Sequence, residues 1–139
     1  MPANAIVALE ATTHRVLERL AAELGDLGLT HGEINALAQL DPGSSVSVAQ
    51  LQAATGQRAS TLTGVLDRLE RRGLLERAIN ERDRRSFTLS LTRSGAAAAT
   101  RVKRTFAELE RDALITTSQR SVDGFFELLA ALDRLALGD

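Results

Sequence analysis

Three arginines, Arg82, Arg84 and Arg85, stand in the loop sequence Asn80-Glu81-Arg82-Asp83-Arg84-Arg85, between two short alternating apolar runs. Upstream, the small hydroxyl-bearing stretch Ser60-Thr61-Leu62-Thr63-Gly64 lies between Arg58 and Arg68. Fixed cations beside compact hydrogen-bonding groups suit contact with a polyanion: charge for phosphates, hydroxyls and guanidinium forks for base edges. Covalent chemistry is not written here. The chain has no Gly-rich phosphate loop, no metal-ligand spacing and no nucleophile elbow. It has no cysteine, which excludes disulfides, thiolate metal sites and a thiol redox switch within the chain. Two histidines, His14 and His31, are too few and too scattered for a metal centre, and the plain reading of each is a surface side chain. No catalytic residue, cofactor or metal is expected.

The elements around these residues follow from periodicity. Ser47 precedes an apolar run and Gln50 follows three residues on, the pattern of a capping box, so a short helix begins there. Thr55-Gly56-Gln57 breaks it, with Gly56 suited to a tight turn. A second helix is expected over about 58–72. Leu62, Val65, Leu66 and Leu69 form its apolar stripe, and Ser60, Thr61, Thr63, Gly64, Asp67, Arg68 and Arg71 lie on its open side. Gly73 stops it. The period then changes to two: Leu75, Arg77 and Ile79 share one side of a strand, and Phe87, Leu89 and Leu91 alternate with Thr88 and Ser90 on the next. Thr92 begins a further helix reaching about residue 118. The result is helix, turn, helix and a two-stranded wing with a basic tip.

Net charge is −1 over 139 residues, which alone argues against a nucleic-acid partner. Its distribution reverses that. Residues 58–104 hold twelve basic and five acidic side chains, so +7, while the remainder holds five and thirteen, so −8. A basic band on an acidic body, coinciding with helix-turn-helix and wing spacing, makes double-stranded DNA the expected partner.

These motifs resemble the MarR family of winged helix-turn-helix transcription regulators. The family's wing signature, D-x-R, five residues, then L-T-x-x-G, matches Asp83, Arg85, Leu91, Thr92 and Gly95. Its recognition-helix ending matches Val65 to Arg77, and its L-T-x-x-E-x-x-x-L element matches Leu29-Thr30-His31-Gly32-Glu33-Ile34-Asn35-Ala36-Leu37. The resemblance covers Leu29 to Gly95 by motif and the flanks by pattern. It implies a mainly α fold with a small β-wing, dimerised by N- and C-terminal helices. Regulators of that family are often released by a small molecule, frequently aromatic or anionic, bound between the reader and those helices; a ligandless repressor with a collapsed pocket is equally compatible with this sequence. At Gly64 the family often carries a larger polar or basic residue, so a base or phosphate contact is absent here.

On this reading the chain is one domain, residues 1–139, with the reader over about 30–95 and dimerisation helices over about 5–28 and 92–137. Residues 2–5 are expected to fray. A long helix covers about 6–24, Thr30 caps the next, Val46 makes a short strand against the wing, and Ser121 caps the last helix. That helix carries Val122, Phe125, Phe126, Leu129, Leu132 and Leu135, too apolar a set to leave exposed. Two long apolar-striped ends predict a homodimer. It is expected to act on a pseudo-palindrome, with recognition helices entering major grooves roughly 34–36 Å apart. Ser60, Thr61 and Thr63 would touch base edges or phosphates, with Arg58 and Gly64 at the same surface. Arg68 would reach a phosphate or guanine, and Arg84 or Arg85, beside Arg82, would enter a narrowed minor groove. Asp83 would structure the wing by orienting one of its arginines through a charge-assisted bond. Arg71 and Arg72 either face DNA or serve the helix C-terminus. The early residues lack the basic start and apolar run of a signal peptide, and no stretch approaches the roughly 18 apolar residues of a membrane span, so a cytoplasmic protein is expected. The competing reading is a winged-helix module that binds an acidic protein and has no specific DNA site.

Overall fold

The computed structural model describes residues 4–137. Six helices and three short strands follow in the order α1 (Ala5–Glu23), a 3-10 turn at Gly25–Leu27, α2 (His31–Ala38), β1 (Ser45–Ser47), α3 (Val48–Thr55), α4 (Ala59–Arg71), β2 (Leu75–Ile79), β3 (Phe87–Leu91), α5 (Arg93–Leu114) and α6 (Gln119–Ala136). The chain divides into two compact units, one up to Phe106 and one from Ala107 onward. Among the described residues no helix is long and apolar enough to cross a membrane.

Local chemistry sets the boundaries in the first unit. Asn4 caps α1, its side chain accepting from the amides of Ile6 and Val7. The expected fraying of residues 2–5 therefore fails at Asn4 and Ala5, because a capped first turn has partners for its amides; residues 2 and 3 lie outside the described residues. Thr30 with Glu33, and Ser47 with Gln50, form the two capping boxes that begin α2 and α3. Gly56, at φ +69°, ends α3 in the left-handed region.

One core joins these elements. Ile34 and Leu37 of α2, Leu51 of α3 and Leu62, Val65, Leu66 and Leu69 of α4 pack with Leu75, Leu89, Ala99 and Val102. Gly32 lets α2 approach α4 closely, since a Cβ there would lie 2.9 Å from Val65 Cγ2. The wing is part of a three-stranded antiparallel sheet of order β1-β3-β2, with Val46 opposite Leu89 and Leu75 opposite Leu91. The alternating pattern places Ile79 and Phe87 on the covered side with Leu75 and Leu89. They are cross-strand partners, yet both are exposed, because the hairpin runs on beyond the helices that cover its base.

An ion pair fastens α5 to the turn after α1: Arg101 donates to both carboxylate oxygens of Asp26 and to the Glu23 carbonyl. The hydrogen bond from Arg101 holds the Asp26 carboxyl below its ordinary value of 3.8. A depressed carboxylate stabilises the fold above its unfolded value and loses that contribution as pH falls through its folded value. The Tm difference between wild type and Asp26→Asn is thus expected to be present at neutral pH and to close below about pH 4, given the 3.8 reference. Thermal melts across pH 2–7 check it; a difference that grows in acid would refute the assignment. The pair is exposed, so the effect is small.

In the second unit α6 is capped by Ser118, not by Ser121: the Ser118 hydroxyl accepts from the Ser121 amide at 3.2 Å, which places Ser121 in the first turn. Both serines fit a cap by sequence, and the extended backbone at Ser118 decides between them. No described residue of α6 is buried. Phe125 and Phe126 meet edge to face, 5.9 Å between ring centres, and both are exposed together with Leu128 and Leu135.

Candidate nucleic-acid interface

Helix α4 presents two unlike faces. Leu62, Val65, Leu66 and Leu69 are buried, while Ser60, Thr61, Thr63, Asp67, Arg68 and Arg71 are exposed. Its approach angle is fixed from α2, where Asn35 Nδ2 donates to the Thr55 carbonyl at 3.1 Å and Gln57 Nε2 to the Gly32 carbonyl at 3.2 Å. Arg58 stands at the N-cap without a capping side-chain bond, so the first-turn amides of α4 take no side-chain acceptor. Such amides, at the positive end of a helix, favour an anion. The Thr63 hydroxyl donates back to the Ala59 carbonyl at 2.9 Å, leaving its oxygen as an acceptor. Among the described residues the hydroxyls of Ser60 and Thr61 have no partner in the protein.

The wing tip is held by two short side chains. Asn80 Oδ1 accepts from the Arg82 amide at 3.0 Å and Asp83 Oδ1 from the Arg85 amide at 3.1 Å, both two residues on. The Ser86 amide and hydroxyl donate to the Asp83 carbonyl, and the Asn80 amide closes the loop on the Ser86 carbonyl. Asp83 thus acts on backbone, not on a guanidinium as expected, because an aspartate side chain is short enough to close an Asx turn on itself. Arg82, Arg84 and Arg85 are exposed and, among the described residues, have no acidic partner.

The basic band is thinner than its count suggests. Arg77 pairs with Asp67 and, at 3.2 Å, with Glu70, tying the wing base to α4. Lys103 pairs with Asp41, and Arg101 with Asp26. Arg68 Nε lies 2.9 Å from the buried Glu33 carboxylate, whose other oxygen is 3.7 Å from Arg72. Arg72 also donates to the Leu27 and Gly28 carbonyls, a tie to another segment that neither of its sequence alternatives included. Within residues 58–104, the cations without an acidic partner among the described residues are Arg58, Arg71, Arg82, Arg84, Arg85, Arg93 and Arg104. Three of these seven stand together at the wing tip, and Arg58 stands at the start of α4. Glu33, the carboxylate beneath the open face of α4, is not among the site residues expected from sequence; its spacing to Arg68 gives no signal in one chain.

A β-hairpin projecting beside a helix-turn-helix is the winged form of that motif. Residues 27–86 match the MarR family. Over 90 residues the chain is 38% identical to the HTH-type transcriptional regulator PecS of Dickeya dadantii, covering 65% of this chain and 54% of that protein. The chain resembles regulators of the MarR family. It spans about half the length of the curated MarR-family relatives it matches. Two solved structures share its fold. The S. aureus MepR–DNA complex has a TM-score of 0.80 at 18% identity, covering 94% of this chain and 97% of that one. NadR in complex with 4-hydroxyphenylacetate has a TM-score of 0.79 at 21% identity, covering 95% and 97%. The curated relatives are themselves transcriptional regulators.

Proposed function

We propose that this protein is a MarR-type, sequence-specific transcriptional regulator, a repressor that binds a pseudo-palindromic operator in double-stranded DNA as a homodimer. One observation carries the reading: the exposed polar face of α4 and the unpaired arginines of the wing tip are the two places where a winged helix-turn-helix meets a major groove and the neighbouring minor groove. Ser60, Thr61, Thr63 and Arg68 are the residues assigned to the major groove, with Arg58 at the first phosphate; Arg82, Arg84 and Arg85 are assigned to the wing contact. MepR was solved on DNA, which supports the reading. The homodimer is supported by α6, whose Phe125, Phe126, Leu128 and Leu135 lie open to solvent in the single chain, and by the exposed Ile6 and Val7 of α1.

An effector fits the same frame. A cavity of about 290 Å³ lies between the Leu27–Leu29 turn and α5, walled by Leu27, Leu29, Leu74, Ala97 and Ala98, with Arg72 and Arg101 among its lining residues. Apolar walls with guanidinium groups suit a small aromatic acid, the class of the NadR ligand.

The test is selection from a random duplex pool, followed by anisotropy titration at several salt concentrations and a solution mass measurement. A two-fold-symmetric site, bound by a dimer with affinity falling steeply in salt, is expected. Equal binding of all duplexes, or none, would sink the reading in favour of a protein-binding module.

A further inference from the structure

We infer that Glu33 is a positioning residue for base reading and that Gly64 is the specificity determinant opposite it: together they aim the Arg68 guanidinium at a guanine edge. The inference rests on the DNA-binding reading above. Glu33 contributes a carboxylate whose side chain is only 3% exposed, although it belongs to α2 and not to the helix it serves. Both its oxygens are engaged. One accepts from Arg68 Nε at 2.9 Å, and the other accepts from the Thr30 amide at 3.4 Å and faces Arg72 NH1 at 3.7 Å. A carboxylate held on both sides presents a fixed acceptor.

What it leaves free matters more. Arg68 is bound through Nε alone, and its side chain remains 44% exposed. Among the described residues no protein group takes the N–H donors of its two terminal nitrogens. Those donors form the fork that pairs with guanine O6 and N7. An unsupported arginine would have to order its long side chain on binding; this one is already ordered by a buried anion.

Gly64 supplies the space. It lies one turn before Arg68, the direction in which a helical side chain leans. A Cβ at Gly64 would stand 3.3 Å from Arg68 NH1, so the guanidinium rests over the bare backbone of that position. A larger side chain would occupy the place and lift the fork off its line. The glycine that removes one contact from the recognition helix thereby admits another from the following turn.

The experiment uses the full chain and the duplex that it enriches from a random pool. Affinity for that duplex, for single-base variants and for a scrambled control is measured for wild type, Arg68→Ala, Glu33→Gln, the Glu33→Gln/Arg68→Ala double variant and Gly64→Leu, with thermal melts alongside. Arg68→Ala is expected to lose roughly 10- to 100-fold in discrimination at one G·C pair in each half-site. Glu33→Gln is expected to lose several-fold at the same pair, and nothing further once Arg68 is gone. Gly64→Leu lies on the open face and improves helix propensity, so it keeps the fold while losing that preference. Overturning results are concrete. If Glu33→Gln lowers the Tm while base preference is unmoved, or if its effect adds fully to that of Arg68→Ala, Glu33 is structural only. If Arg68→Ala weakens all duplexes equally and flattens the salt slope, Arg68 is a phosphate contact and the base-reading claim fails. Wild-type enrichment with unmoved variants removes this inference alone; a wild type that enriches no duplex removes the DNA reading with it.

Discussion

Gly95→Ala is expected to lose about 3 kcal/mol of stability or more, enough to lower the Tm by roughly 10 °C in a domain of this size. The first turn of α5 lies directly on the peptide that links α4 to β2. Thr92 fixes it there: its amide donates to the Leu74 carbonyl at 3.2 Å, its hydroxyl donates to the Gly73 carbonyl at 2.6 Å, and the same hydroxyl oxygen accepts from the Gly95 amide at 3.0 Å. A Cβ at Gly95 would then sit 1.8 Å from the Leu74 carbonyl oxygen and 2.7 Å from its carbon. Neither atom belongs to a side chain that can rotate away. Relief requires moving α5 off the α4–β2 link, which would break the Thr92 bonds and open the core at Ala99 and Val102, both fully buried. Gly124→Ala is the control. Nothing lies within 4 Å of a Cβ there, and the site is a helix interior. It should be neutral or stabilising by up to about 1 kcal/mol. Circular-dichroism melts of the two variants give the answer, and a Gly95→Ala protein that melts with wild type would show that the contact relaxes freely.

The second large effect is on DNA. Arg84→Ala/Arg85→Ala is expected to weaken operator binding by roughly 10- to 100-fold near 0.1 M salt and to make the logarithmic salt slope shallower by about 0.9 for each phosphate neutralisation lost. Two features make this pair the place to cut. Both side chains are exposed and have no acidic partner among the described residues, so removing them leaves no orphaned charge in the protein. The tip they stand on is shaped by Asn80, Asp83 and Ser86, not by the guanidinium groups, so the hairpin survives the change. Anisotropy titrations at four or five salt concentrations measure affinity and slope together. An unchanged slope with unchanged Tm would mean that the wing does not touch the duplex. Arg77→Ala makes an informative contrast, since Arg77 is pinned by Asp67 and Glu70. Its loss should act through the joint between wing and α4, visible in the melt as well as in binding.

Much of this was legible in the chain before any coordinates. Periodicity placed the buried stripe of α4, because a helix that covers a core on one side must repeat its apolar residues every three to four positions. The capping pairs Thr30–Glu33 and Ser47–Gln50 marked the helix starts, since a cap is a local bond between residues three apart. The Asp83-to-Gly95 spacing marked the wing and its return to α5. Local chemistry misled where two local solutions competed, as at Ser118 and Ser121, and where a cap went unread, as at Asn4.

What tertiary structure decided was which charges remain available. Counting charges along residues 58–104 gives a broad basic band, but Glu33, Asp26 and Asp41 each neutralise part of it from elsewhere in the fold. Arg68 and Glu33 are 35 positions apart, and no periodicity connects them. Their meeting follows from α2 and α4 packing across Gly32, a contact that exists only once the core has formed. The reason for Gly95 is of the same kind: sequence shows a glycine at a fixed spacing, and only the fold shows the carbonyl that leaves no room for anything larger.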